Sequence, residues 1–315
     1  MDEILNRRSD VCEASAHIMT DAMHDDLVKA LRQISDDDRY VLGELRKKGS
    51  AWIVGGWVRD SLMGMSAEDM DIATTLKPED IKSIFPRSIM VGASFGTVIV
   101  RIEDEDNTSE WQVTTLRSEE DYLDGRRPEK VSFLEVGKDD KGIIEDLSRR
   151  DFTINSMAIG IDESLIDPYD GLNDLSTGTL RTVGSADRRF NEDGLRVLRA
   201  FRFLDAGEAG VREMDEALER GIIRAEGFLS GVSRERVGVE ISKIFSGENV
   251  HEIALKMASL GVFDQVFEDY DVDIPPQLSN NHLVNLALFF RNEDISAESL
   301  SDLSLIHISE PTRLV

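Results

Sequence analysis

The sequence predicts a mixed α/β first half followed by an all-α second half, and three observations carry that prediction. Short apolar runs of strand length, broken by glycine or acidic turns, recur between residues 51 and 161. From Asn191 nearly to the end, apolar residues fall at helical spacing. The chain has 315 residues, 41% hydrophobic and 31% charged, which suits about two globular domains with a sizeable core.

Residues 1–50 read as helical and acidic. Leu27, Leu31 and Ile34 share one helical stripe, and Val41, Leu42 and Leu45 share a second. Asp36-Asp37-Asp38 lies between them and breaks or starts a helix. Ala51-Trp52-Ile53-Val54 is a short apolar strand ending in Gly55-Gly56, and Trp57 to Met63 reads as the first turns of a helix. Met70-Asp71-Ile72-Ala73 is the next strand. Val98 to Ile102 and Trp111 to Thr115 follow as strands, with Asp104 to Ser109 as the turn between them. Ile154 to Ile161 is a further strand candidate. No internal repeat or low-complexity linker interrupts the chain. Leu303 to Arg313 resembles the translation of a sequencing-adaptor read-through. The natural chain is therefore expected to continue past about residue 302, and 303–315, including His307, are set aside.

Charge and composition exclude several classes. No apolar run approaches the ~20 residues of a membrane span, and MDEILNRRSD has no apolar core of a secretory signal. A single cysteine, Cys12, excludes an intrachain disulfide and a cysteine-based zinc site; a cytoplasmic location is the simplest expectation. The 62 acidic against 36 basic residues give a formal charge of −26, which repels nucleic acid at long range. A solvated acidic surface explains this, and adaptation to high salt is the other reading. The basic residues are 26 Arg and only ten Lys. Arginine's planar fork suits phosphates and base edges, so a cleft lined by it would escape the average.

Four clusters carry chemistry. Gly55-Gly56-Trp57-Val58-Arg59-Asp60 follows a strand. Its glycines let backbone N–H groups approach a phosphate, the following helix adds positive potential, and Arg59 supplies a fork for a triphosphate oxygen. Alone, it also fits an ordinary tight turn. Asp69-Met70-Asp71, if on a strand, sets two carboxylates on one face. They repel unless a cation lies between them, and hard oxygen ligands suit Mg²⁺, which activates a hydroxyl and stabilises pyrophosphate. Arg149-Arg150-Asp151-Phe152-Thr153-Ile154-Asn155 sets two arginines side by side, and burying both requires anionic partners. Glu192-Asp193-Gly194-Leu195-Arg196-Val197-Leu198-Arg199 starts a helix. There Asp193 and Arg196, three apart, would share a face and present an acceptor and donors to a base edge. An intrahelical ion pair is the plainer alternative.

Together these clusters resemble the class II tRNA nucleotidyltransferase and poly(A) polymerase family. The likeness runs over roughly 50–265. It rests on Gly-Gly-x-Val-Arg-Asp at 55–60, Asp-x-Asp at 69–71, Thr-Thr-x-Arg at 114–117 and Asp124-Gly125-Arg126-Arg127-Pro128. It continues with Arg-Arg-Asp-Phe-Thr-x-Asn at 149–155, Asp167-Pro168-Tyr169-Asp170-Gly171, Glu-Asp-x-x-Arg at 192–196, and Ser233-Arg234-Glu235-Arg236 with Glu240. The resemblance implies a head with a polymerase-β-like nucleotidyltransferase sheet followed by an all-α neck and body. The boundaries would be an N-terminal helical extension over 1–45, a head over 46–180, a base-recognising neck over 181–245 and the start of a body over 246–302. It implies Asp69 and Asp71 as catalytic metal ligands. Gly55, Gly56, Arg59, Asp60, Arg117 and Asn155 would serve nucleotide binding, and Arg149, Arg150 and Asp151 the ribose. Glu192, Asp193 and Arg196 would form the base-reading template. Arg199 and Arg202 would extend that helix toward phosphates, and Arg236 and Glu240 would buttress the neck.

The implied reaction is attack of an RNA 3′-hydroxyl on CTP or ATP, with Mg²⁺ as cofactor, the tRNA 3′ end as partner and no obligatory protein partner. One position departs from the pattern: Gln112 stands where many relatives carry Glu, and Glu110 is displaced by two residues. Val91-Gly92-Ala93-Ser94-Phe95-Gly96-Thr97-Val98 lacks the basic stretch of bacterial poly(A) polymerases, and residues 118–130 keep the segment that CC-adding relatives lack. Full CCA addition is the expectation. An A-adding specialist, a poly(A) polymerase and a non-catalytic RNA-binding relative remain as alternatives.

Overall fold

The structure is a computed structural model that describes residues 21–67, 69–91, 96–103, 108–120, 130–133, 141–267, 273–279 and 281–291. Two compact units emerge. The first comprises residues 1–118, 131–150 and 154–173; the second comprises 119–130, 151–153 and 174–315.

In the first unit, α1 (Asp21–Arg32) and α2 (Asp36–Arg46) precede the sheet. The acidic triplet does start a helix. Ser35 accepts from the Asp38 amide, and Asp38 returns a bond to the Ser35 amide, a reciprocal cap. Asp38 also accepts from the indole Nε1 of Trp111 at 2.7 Å, which satisfies a ring only 4% exposed. The strands are β1 (Ala51–Val54), β2 (Asp71–Thr74), β3 (Ile89–Val91), β4 (Thr97–Glu103) and β5 (Thr108–Thr115), then β8 (Ala158–Ile159) and β9 (Leu165–Ile166). Between β5 and β8 come β6 (Arg117–Glu120) and β7 (Lys130–Phe133), which form a separate pair. The seven-stranded sheet runs β3-β4-β5-β2-β1-β8-β9. Only its β2–β5 pairing is parallel.

All four residues of β1 are buried, because both edges are paired and both faces covered. β4 and β5 alternate instead, burying Val98, Val100, Trp111 and Val113. Trp52, Val54, Ala73, Leu116, Ala158 and, from α5 (Lys141–Leu147), Ile143 and Leu147 form a core under the sheet. The helices α3 (Gly56–Leu62) and α4 (Pro78–Ile84) complete the unit.

The strand expected over 154–161 is largely absent. Residues 153–155 form a 3₁₀ turn, and only Ala158–Ile159 joins the sheet. Side chains claim this segment: Asn155 Oδ1 accepts from Arg59, and Thr153 donates to Asp174. Asp167-Pro168-Tyr169-Asp170-Gly171 is a helix entry. The Asp167 carboxylate accepts from the amides of Gly171 and Leu172 at 2.8 and 2.9 Å, at the start of α6 (Gly171–Thr177).

The second unit holds a small parallel pair, β10 (Thr179–Leu180) with β11 (Glu213–Met214). Its helices are α7 (Ala186–Glu192), α8 (Leu195–Leu204), α9 (Glu216–Arg224), α10 (Arg234–Phe245), α11 (Val250–Ser259), α12 (Val262–Val266) and α13 (His282–Phe289). The predicted helical half is therefore observed, entered five residues earlier than Asn191, with one correction: it is not all-α, because Glu213–Met214 pairs with Thr179–Leu180 as a strand. Phe245, Phe263 and Phe289 meet at centroid distances of 4.8–6.3 Å. The fully buried Asn285 ties α13 to the Phe245 carbonyl at 2.7 Å.

Asp38→Ala removes a reciprocal cap and strands a buried indole N–H. Urea unfolding should show a loss of about 1–3 kcal/mol, whereas Asp37→Ala, on the exposed side, should change stability little.

Candidate active site

The chain leaves β1 at Val54, paired with Asp71, and turns at Gly55 with φ +77° and ψ −139°. That backbone conformation favours glycine. Space demands it as well: a Cβ at Gly55 would lie 3.1 Å from Arg150 Nη1 and 3.4 Å from Asp71 Oδ2. The missing side chain thus leaves a gap with a guanidinium on one side and a carboxylate on the other.

Asp71 opens β2, and Asp69 lies just before the strand, exposed. The pair is therefore not two alternate residues of one strand, as the sequence reading had it, although Asp69 still acts on its neighbour. Burial raises the Asp71 pKa above the ordinary carboxylate value; Arg150 opposes this and Asp69 adds to it. Gln112 is the residue directly paired with Asp71 across the parallel β2–β5 ladder. Its amide adds no charge there. Glu110 lies two residues back and is paired with Arg101 of β4. Among the described residues no group of three or more His, Cys, Asp or Glu is arranged to hold a metal. Two carboxylates, one of them destabilised by burial and by the other, fit a hard divalent cation that completes its shell with water and substrate phosphates.

The arginines of the motifs are held by acids. Arg59 forms a two-pronged pair with Asp60 at 2.7 and 2.8 Å, and its Nη1 donates to Asn155 at 2.6 Å. The fork expected to face a triphosphate therefore already engages a neighbour in this conformation. Gly56 lies beside it: a Cβ there would sit 3.6 Å from Arg59 Nη2. Arg149 and Arg150 divide one carboxylate, donating to Asp146 Oδ1 at 2.6 Å and Oδ2 at 3.2 Å. Arg150 also reaches the Asn155 carbonyl, while its buried Nε has no hydrogen-bond partner. Asp146 was not singled out in the sequence, though its i, i+3 and i, i+4 spacing to the two arginines was readable there.

In the second unit, Asp151 is 7% exposed. Its Oδ1 accepts from the Phe152 amide and its Oδ2 from Arg199, at 2.9 and 2.7 Å. Burial works against the Arg199 charge, but Asp151 and Glu240 outweigh it and raise the pKa above the ordinary value. Arg202 also donates to Glu240, at 3.1 Å, and both guanidinium groups lie over the Phe203 ring, at 5.2 and 4.3 Å.

The Glu192–Arg196 cluster departs from its expected geometry. Asp193 is an extended residue capping α7, and Gly194 precedes α8. A helix break therefore separates Asp193 from Arg196, and the i, i+3 face does not form. Arg196 pairs with Glu192 at 2.6 Å, and Asp193 pairs with Arg236 at 2.6 Å. Burial pushes the Glu192 pKa up, but the bond from Arg196 and the charge of Arg189 prevail and hold it below the ordinary value. The break is sterically enforced: a Cβ on Gly194 would lie 1.8 Å from the Phe228 carbonyl oxygen.

Thr114 and Thr115 of the Thr-Thr-x-Arg motif serve the sheet. Thr115 donates to the Leu76 carbonyl, and Thr114 shares a bond with Thr97. Arg117 begins β6, with its side chain outside the described residues, as are 121–129 with Arg126 and Arg127, and 92–95. No described helix is long and apolar enough to cross a membrane.

Comparison with known proteins follows the same elements. Residues 51–181 match the family described as the poly(A) polymerase head domain, and 213–274 the one described as the probable RNA and SrmB-binding site of polymerase A. The chain is 40% identical over 210 residues to a CCA-adding enzyme of Enterococcus faecalis, covering 66% of this chain and 48% of that one. It is 39% identical over 227 residues to a CCA-adding enzyme of Bacillus licheniformis, covering 72% and 54%. The chain thus spans about half the length of these relatives. Its fold resembles the Bacillus stearothermophilus CCA-adding enzyme in complex with CTP, with TM-score 0.61 and 31% identity, over 79% of this chain and 56% of that one.

Two substitutions test the geometry. Gly194→Ala meets backbone rather than a yielding side chain, so calorimetry should show a loss of at least about 2 kcal/mol. Asp71→Asn should raise stability in metal-free neutral buffer, within the ~0.5–2 kcal/mol typical of stabilising changes. The sign follows from the raised pKa: folding disfavours the ionised carboxyl. The advantage of Asn is therefore full above the folded pKa and fades as acid protonates Asp71 in both states. Midpoints measured across pH would check it.

Proposed function

Because the chain belongs to the class II tRNA nucleotidyltransferase and poly(A) polymerase family, we propose that it is a template-independent RNA nucleotidyltransferase. It would add CCA to tRNA 3′ ends from CTP and ATP, releasing pyrophosphate, in the cytoplasm. One observation carries this reading most strongly: the gap left by Gly55 between Asp71 and Arg150, an acid suited to a cation beside a base suited to a phosphate. The likeness over two thirds of the chain to enzymes named for CCA addition favours tRNA over other acceptors. The chain would divide into an N-terminal helical extension over 1–45, a head over 46–180, a neck over 181–245 and the start of a body over 246–302.

Asp69 and Asp71 are the proposed holders of a divalent cation, for which Mg²⁺ is our choice. When bound, the ion supplies charge that favours the 3′-oxygen nucleophile and the departing pyrophosphate. The chain's own residues position and neutralise. Gly55 and Gly56 let the backbone approach the triphosphate, and Arg150, with a buried Nε awaiting an acceptor, contributes to its binding. Arg59, oriented by Asp60 and Asn155, and Arg149 add positive potential. Asp151, held by Arg199, receives the ribose, and Arg117 is assigned to nucleotide binding by its motif. Glu192, Asp193 and Arg196 read the base. Exchanging its present partner Arg236 for the base, Asp193 would accept from the amino groups of cytosine and adenine, and Arg196, exchanging Glu192, would donate to their ring nitrogens; guanine and uracil present the opposite pattern. Attack of the 3′-hydroxyl on the α-phosphate is then a matter of alignment and electrostatics.

The test is an extension assay with Mg²⁺ and a tRNA lacking its terminal CCA, each triphosphate offered singly and then CTP with ATP. Addition of C, C and A followed by a stop is expected. Unlimited A addition would instead make the chain a poly(A) polymerase. Loss of Mg²⁺-dependent nucleotide binding in Asp69→Ala separates an active site from a non-catalytic RNA-binding relative, which would show no such dependence. Asp193→Ala should relax discrimination against GTP and UTP by roughly tenfold or more, on the scale of ~1–3 kcal/mol per paired base contact, with a smaller effect on triphosphate affinity. Unchanged discrimination would refute the template assignment.

A further inference from the structure

Arg150 Nη1 and Asp71 Oδ2 lie on either side of the Gly55 gap, 3.1 and 3.4 Å from where a Cβ would stand, yet no ion pair joins the two. Asp146 explains the separation. It projects from α5, its side chain is only 14% exposed, and its two oxygens hold Arg149 and Arg150 separately. The Asn155 carbonyl supplies a second anchor for Arg150 at 3.3 Å. Without Asp146, Arg150 would be an uncompensated, largely buried cation with the Asp71 carboxylate across the Gly55 gap. We propose that Asp146 is a positioning residue: by dividing its carboxylate between Arg149 and Arg150 it keeps Arg150 from closing onto Asp71, and so leaves the Asp69–Asp71 pair open to a divalent cation. This rests on the reading of Asp69 and Asp71 as cation ligands. It adds that cation access is set by a competition with an arginine of the same chain.

The experiment uses Mn²⁺ alone as probe, titrated into the full chain and followed by water-proton relaxation, with no nucleotide or RNA present. Asp146→Asn should weaken Mn²⁺ binding by roughly tenfold, the scale on which partners behind metal ligands act. Adding Arg150→Gln to that variant should restore binding, because the competitor is gone. Arg150→Gln alone should bind Mn²⁺ at least as tightly as the parent, which keeps the idea testable even if Asp146→Asn folds poorly. A merely structural Asp146 predicts no rescue. Wild-type affinity in Asp146→Asn, failed rescue in the double variant, or weaker binding in Arg150→Gln alone would each overturn the proposal while leaving the ligand assignment standing. If Mn²⁺ binding in the parent chain is unaffected by Asp69→Ala and Asp71→Ala, the ligand assignment falls and this inference with it.

Discussion

An arginine taken out of water needs an anion, and nearly every motif arginine described here has one supplied from within its own unit. Asp60 holds Arg59, Asp146 holds Arg149 and Arg150, Glu192 holds Arg196, Asp151 holds Arg199, Glu240 holds Arg202 and Asp193 holds Arg236. The acids fix where each guanidinium points, and the sheet and helices fix where each acid stands. The strong negative charge of the chain therefore does not oppose an anionic ligand uniformly; part of it holds the cations in place.

Much of the first unit could be read from the sequence because its signals are local. An apolar run of four residues, two glycines and a helix follow one another, and the structure keeps that order as β1, Gly55 and α3. The serine before three aspartates forms its cap. The strand-like runs at 98–102 and 111–115 become β4 and β5. What failed to read was decided by partners distant in sequence. The segment after Arg150 is apolar enough for a strand, but Asn155 is engaged by a residue 96 positions away and Thr153 by one 21 positions away. Periodicity carries no trace of either. Strands of two residues, such as β9 and β10, are likewise too short to leave a pattern.

The candidate site shows the same division. Residue identities and order were legible, and the grouping of Gly55, Asp71 and Arg150 follows from the pairing of β1 with β2 and the path of the chain after α5. The partnership of Asp193 was not legible. Spacing alone gives it to Arg196, whereas the break in the helix gives it to Arg236, 43 residues on. Asp146 escaped notice for the opposite reason, since an acid three and four residues before two arginines is commonplace on a helix.

The contact of Gly194 with residue 228 has a consequence for how such a chain can diversify. The obstacle facing any side chain at 194 is a carbonyl oxygen, and the carbonyl carbon follows at 2.8 Å. Every amino acid at 228 carries that same peptide group, so no second-site substitution there removes it. Compensation has to come through the path of the main chain between α9 and α10, by adding or deleting residues in that connection. In a library of variants, position 194 would therefore co-vary with loop length rather than with any particular amino acid.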